Sequence, residues 1–215
     1  MTFKVHYHEV LDLLEGLFVH IFNGLKTRYA AEIEIVRRQY PVEEFKIPAA
    51  GEKMLRITFA DGVAMLRAAG EDIADNEDLS TPHERLLGKL VKEKFNTDFF
   101  IMDKFPLAVR PFYTMPAPED PKNLSNSYDF FMRGEEIMSG AQRVHQYDLL
   151  KERMKTFGVD PENEGLRDYV DSFKYGTPPH GGGGIGLERV VFLYLGLGNI
   201  RKASMFPRDP QRLRP

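Results

Sequence analysis

The stretch YDFFMRGEEIMSGAQRVH, residues 128–145, decides the fold class of this 215-residue chain. Residues 128–132 and 135–145 read as two strands joined at Gly134, and two strand-like runs meeting at a glycine predict an antiparallel hairpin. The second run is unusual for a strand. Its small residues Ser139, Gly140 and Ala141 lie between Glu136 and Arg143. Small residues make space, and an acid with an arginine could line that space for a zwitterion or a metal–phosphate group. Ser139 and Arg143 share a face by parity, whereas Glu136 falls on the opposite one. The three converge only if the strand bulges between them, with Gly140 the candidate bulge. An edge strand carrying a surface ion pair is the other reading these residues leave open.

Working outward, residues 7–38 repeat apolar positions at spacings of three and four (Val10, Leu14, Leu17, Ile21, Leu25) and predict one amphipathic helix, ended by Pro41. Residues 46–59 read as strand and 61–69 as a short helix. Thr81-Pro82-His83-Glu84 predicts a helix start, with Thr81 as cap and Glu84 closing a capping box, and the helix running to Phe95. Residues 98–103 read as strand. Residues 105–121 are rich in proline and hold at most one short strand, around 112–115. Two helices follow, at 147–157 and 161–173. Strands and helices interleave without a βαβ rhythm, so the expected class is α+β: a mostly antiparallel sheet flanked by helices.

HGGGGIGLER, residues 180–189, is the second informative stretch. Gly181, Gly183 and Gly186 satisfy GxGxxG in form only, since two prolines precede the run and no second strand returns after it. No Lys-Ser or Lys-Thr follows Gly186, so the phosphate-loop motif is absent too. Four consecutive glycines let backbone lie flat against a planar ligand or another backbone. A flexible linker is the alternative, disfavoured because residues 185–197 form an apolar, buried helix. Arg189, early in that helix, needs an anion or a π-face, supplied by an internal salt bridge or by a ligand.

Composition narrows the classes. The chain has no cysteine, which excludes disulfides, thiolate metal sites and a cysteine nucleophile. Its net charge of −3 is unlike that of a non-specific nucleic-acid binder. No charge-free apolar run reaches the roughly 18 residues of a membrane span, and the first residues lack a secretory pattern, so the expected location is cytoplasmic. His6, Tyr7 and His8 carry a strand-ligand spacing, but at a helix start they read as solvated histidines rather than a metal site.

Residues 133–145 resemble the amino-acid-site strand of aspartyl-tRNA synthetases of the archaeal and eukaryotic cytosolic type. Residues 183–189 resemble motif 3 of class II aminoacyl-tRNA synthetases, and SMFPRDP, residues 204–210, resembles that family's C-terminus. FPLAVRPFYTM, residues 105–115, matches as well. The resemblance implies a class II synthetase-like catalytic core, here in part, that activates L-aspartate with ATP and transfers it to tRNA(Asp). It implies ATP binding by Glu136, Gly186, Leu187, Glu188 and Arg189, and aspartate binding by Ser139 and Arg143, with His180 bordering that pocket. It implies a magnesium ion held by Glu136 and Ser139. It also implies that residues 1–215 are the C-terminal portion of a catalytic domain, without the anticodon-binding OB-fold, the dimer-forming motif 1 of a homodimeric parent enzyme, or motif 2. On that expectation the piece alone is weak or inactive. A truncated paralogue acting as a binding module, or a relative that handles asparagine, is the rival expectation.

Overall fold

The computed structural model describes residues 1–48 and 52–214. Five strands form one sheet in chain order: β1 (Leu55–Thr58), β2 (Phe99–Asp103), β3 (Ser127–Met132), β4 (Glu135–Arg143) and β5 (His180–Ile185). β1 and β2 are parallel, and the other three pairings are antiparallel. The parallel pair is connected through α3 (Phe59–Ala68) and α4 (Thr81–Phe95). The α+β class and the hairpin at Gly134 are therefore as expected. Arg133 and Gly134 have φ of 51° and 77°, the left-handed pair that a two-residue turn matching strand twist requires.

Strand alternation sorts the apolar side chains onto two faces. Phe99, Ile101, Phe130 and Met132 meet Phe18 and Phe22 of α1 (His8–Arg28) and Val190 of α7 (Leu187–Leu195). Phe100, Met102 and Phe131 meet Leu66 of α3 and Leu87 of α4 on the reverse face. A third cluster joins α5 (Tyr147–Thr156) to α6 (Glu164–Ser172) through Leu150, Met154 and Val170. Each such buried side chain contributes roughly 1.5–3 kcal/mol of transfer free energy.

The structure departs from the sequence reading at several points. The helix predicted over residues 7–38 is two, α1 and α2 (Ala30–Gln39), broken at Tyr29. The apolar stripe lapses between Leu25 and Ile33, so the intervening turn has no core to face. The strand expected over residues 46–59 is only β1; residues 49–51 lie outside the described residues. The cap of α4 is Ser80, whose Oγ accepts the His83 N–H at 3.4 Å; Thr81 is the first helical residue. Glu84 is thereby freed from capping. Residues 112–115 form no strand; Thr114 makes only an isolated bridge to Arg143, flanked by prolines that cannot donate to a ladder. The helix after the glycines is not buried all round: Leu187 is 69% exposed, while Val190, Leu193 and Tyr194 are buried.

The histidines at the start of α1 are not simply solvated. Tyr7 is fully buried between them and donates to Asp103 Oδ1 at 2.6 Å, while His8 Nε2 lies 2.7 Å from Asp103 Oδ2. Burial alone would raise the Asp103 carboxyl, but these hydrogen bonds outweigh it and hold the group below the ordinary carboxylate range. The pair fastens α1 to the end of β2.

Candidate active site

The parity conflict in β4 is resolved by a bulge, at a different residue from the one expected. Phe130 pairs with Met138 and Phe131 with Glu136, which leaves Ile137 as the extra residue. Ile137 and Met138 both turn into the core, each 1% exposed. Glu136 and Ser139 thus share one face with Arg143. Gly140 keeps regular register and is small for another reason: a Cβ there would lie 2.5 Å from the Tyr128 ring and 2.8 Å from the Gly182 carbonyl.

The glycine run is strand β5, and its residues divide by face. At Gly183 a Cβ would meet Met138 Cε at 2.5 Å and the Ser139 carbonyl at 2.6 Å. At Gly182 and Gly184 it would meet nothing within 4 Å. One set lets β5 close onto β4, and the other leaves a bare floor. Above that floor is a cleft of about 470 Å³, walled by Ser139 and Arg143 of β4 and by Arg110 and Tyr113 of the proline-rich segment.

At one end, the Arg143 guanidinium lies over the Tyr113 ring, 4.0 Å from its centroid. Among the described residues Arg143 has no carboxylate within ion-pair distance. His180 is its register partner on β5, with Nδ1 3.0 Å from the Pro178 carbonyl. A cation on a π-face with its hydrogen-bonding edge unspent suits an incoming carboxylate.

Beside the cleft, next to Ser139, the surroundings are acidic. The backbone of Glu136 is held from both sides: its N–H donates to Glu84 Oε2 at 3.3 Å, and its carbonyl accepts from Arg189 Nη1. Arg189, the third residue of α7, makes no ion pair among the described residues, so the internal salt bridge weighed for it is absent there. Arg110 donates through Nη2 to Asp129 Oδ2 at 2.6 Å and through Nη1 to Ser139 Oγ at 3.1 Å. Burial pushes Glu84 up to about 7, with the charges of Glu136 and Asp129 adding to it against the Glu136 N–H and Arg189. Burial also raises Glu136, with Asp129 adding and Arg189 and Arg110 opposing. Asp129 is raised by burial in spite of its pairing with Arg110.

Three carboxylates that disfavour their own charge, one with an oxygen (Asp129 Oδ1) buried and unpaired, form a group that an added cation would relieve. The donors are hard oxygens, as magnesium prefers. Among the described residues no three His, Cys, Asp or Glu side chains form a metal cage by themselves. The set fits a divalent cation that draws the rest of its shell from phosphate and water.

Gly186 precedes α7 and donates its N–H to the Ile137 carbonyl at 2.9 Å. Leu187 and Glu188 are exposed at the helix start and do not wall the cleft. Ser139, Arg143 and His180 are brought together around one cleft, and Glu136 with Arg189 forms its acidic neighbour. Sequence reading missed Glu84, Arg110 and Asp129. An acid inside the aromatic run YDFFM was the available signal for Asp129; Glu84 was disguised as a cap.

The profile of the tRNA synthetases class II (D, K and N) matches residues 1–210. The cytoplasmic aspartate–tRNA ligases of Rattus norvegicus and Homo sapiens are each 57% identical over all 215 residues, which cover 42% of their lengths. An aspartyl tRNA synthetase from Entamoeba histolytica superposes with a TM-score of 0.94 at 52% identity, covering 100% of this chain and 43% of that one. An asparaginyl-tRNA synthetase from Pyrococcus horikoshii, solved with asparaginyl-adenylate, gives a TM-score of 0.80 at 29% identity, covering 98% of this chain and 46% of that one. The chain spans about two fifths of the length of the curated relatives it matches.

Proposed function

This chain belongs to the class II tRNA synthetases of the aspartate, lysine and asparagine group, and from that premise we propose that it serves aspartate–tRNA ligation. The reaction has two steps. The α-carboxylate of aspartate attacks the α-phosphorus of ATP, expelling pyrophosphate and forming aspartyl-adenylate. The aspartyl group then passes to the 3′ end of tRNA(Asp), and AMP leaves.

Arg143 carries this reading. Seated on Tyr113 with no protein carboxylate beside it, it pairs with the side-chain carboxylate of aspartate. A guanidinium reads a carboxylate through two parallel hydrogen bonds, whereas the amide of asparagine would turn a donor toward donors. His180 borders the same pocket. Ser139 sits where the amino-acid cleft meets the carboxylates. Arg189 leaves the Glu136 carbonyl to contact ATP, and backbone at Gly186, Leu187 and Glu188 runs along the nucleotide. Glu136 and Ser139, with Glu84 and Asp129 nearby, would hold the magnesium that accompanies the phosphates. Such an ion would supply positive charge to offset that of the phosphates. The chain's own contribution is positioning and charge, with no proton transfer required of a side chain.

The domain reading follows the same line: residues 1–215 are the C-terminal portion of a catalytic domain. The relatives are named as cytoplasmic, and we place this reaction in the same compartment. Aspartate-dependent exchange of pyrophosphate into ATP tests the function, run on the 215-residue chain and on a version extended upstream. Slow exchange is expected from the first and robust exchange from the second; none from the extended chain would refute the reading. In that extended chain Arg143→Ala should lower kcat/KM for aspartate on the order of a thousandfold. An unchanged value would remove Arg143 from the role.

A further inference from the structure

FPLAVRPFYTM, residues 105–115, matched the family as a motif, yet no role has so far been attached to its arginine. Arg110 lines the cleft and pairs with groups on two adjacent strands. Its Nη2 pairs with Asp129 Oδ2 at 2.6 Å and its Nη1 donates to Ser139 Oγ at 3.1 Å. Its guanidinium lies 3.8 Å from the centroid of the Phe105 ring, and its side chain is 12% exposed. Asp129 and Ser139 are register partners across β3 and β4. Arg110 therefore spans two adjacent strands from above and ties a carboxylate to a hydroxyl.

We propose that Arg110 is a positioning residue for adenylate formation: by clamping Asp129 and Ser139 together it fixes the corner where the amino-acid cleft meets the carboxylates that face the phosphates. The proposal rests on the synthetase reading and deepens it.

Three observations carry it. First, the clamp uses two nitrogens of one planar fork, a geometry lysine cannot reproduce. Second, the clamp is itself braced, because Phe105 supports the guanidinium from below. Phe105 is in turn fixed, its carbonyl accepting from the Ser125 N–H at 3.0 Å and from Ser125 Oγ at 2.8 Å. Third, the same segment supplies Tyr113 beneath Arg143. One irregular stretch thus seats both arginines of the cleft on ring faces. It is anchored to β4 and its continuation by Met115 N–H to the Gln142 carbonyl and Val144 N–H to the Tyr113 carbonyl, both 2.9 Å. Arg110 acts through Ser139 and Asp129 rather than on the reacting atoms.

The test is a double-mutant cycle of Arg110→Lys and Ser139→Ala in the 215-residue chain. The probe is aspartyl sulfamoyl adenosine, a non-hydrolysable mimic of the adenylate, with binding measured by calorimetry at several magnesium concentrations. Arg110→Lys keeps a cation beside Asp129, so folding is preserved, and thermal unfolding checks this. Arg110→Lys should weaken binding about tenfold or more, in line with the cost of a misplaced positioning group. Most of that effect should vanish in the Ser139→Ala background, because the two residues act as a unit. Unchanged binding by Arg110→Lys, or full additivity, would overturn the proposal. Should neither the unsubstituted chain nor its upstream-extended version bind the mimic, the synthetase reading fails first. The clamp is then judged from a crystal structure of Arg110→Lys: displaced Ser139 and Asp129 side chains support it, and unmoved ones overturn it.

Discussion

Tyr7 shows how much one hydroxyl can hold. It is buried against Tyr128 and donates a hydrogen bond to Asp103, whose second oxygen meets His8. Because the Asp103 carboxyl sits below its ordinary value, its contribution to stability is present at neutral pH and is lost as pH falls through the lowered value. Tyr7→Phe should therefore cost about 1–2 kcal/mol at pH 7, and the gap from the parent should close in acid. Urea unfolding at pH 7 and pH 3 measures both. A gap that widened in acid would contradict the assignment. Sequence could not show this joint. His6-Tyr7-His8 looks like any polar helix start, and its partner lies 96 residues away in sequence. Arg143 and Arg189 were legible because a cation among small or apolar residues needs an anion or a π-face wherever the chain folds. Asp129 and Arg110 were not, because each is explained only by the other.

At the scale of elements, the site depends on how closely α4 lies on the β3–β4 turn. A Cβ at Gly88 would stand 2.3 Å from Gly134 Cα. Gly88→Ala must lift the helix that carries Glu84 away from Glu136, and overpacking of this kind costs about 1–3 kcal/mol. Chemical denaturation should show that loss; a variant as stable as the parent would mean the helix shifts freely. Strands β2, β3 and β4, the turn at Gly134 and most helices were readable from pattern and turn chemistry. What failed was local: the start of α4, where two adjacent hydroxyl residues compete to cap, and the single helix over residues 7–38, where no glycine or proline marks the break at Tyr29. The glycine run gave no strand signal at all, since strand propensity resides in side chains it lacks. β5 exists because β4 offers it a ladder.

For the molecule as a whole, the sheet is the common wall of two cores, with the central strands covered on both faces. Residues 127–132 of β3 are buried at every position. The α5–α6 pair has its own smaller cluster. Hydrogen exchange should follow that layout: slowest in β2, β3 and β4, faster in α5 and α6, and fastest in α2, which buries only Ile33. Mass-spectrometric exchange resolves these segments, and uniform protection across them would contradict a division into separate clusters.

The extra residue at Ile137 carries a consequence for mutation by deletion rather than by substitution. Removing that one codon would leave β4 without its irregularity, free to form an uninterrupted ladder with β3. Hydrogen bonding would be no poorer. Glu136 and Ser139 would then stand two residues apart in a regular strand and would still look into the same space. The lesion would instead be a gap in the core where the Ile137 side chain, 1% exposed, now packs, with the acid and the hydroxyl left on one side of a well-paired sheet.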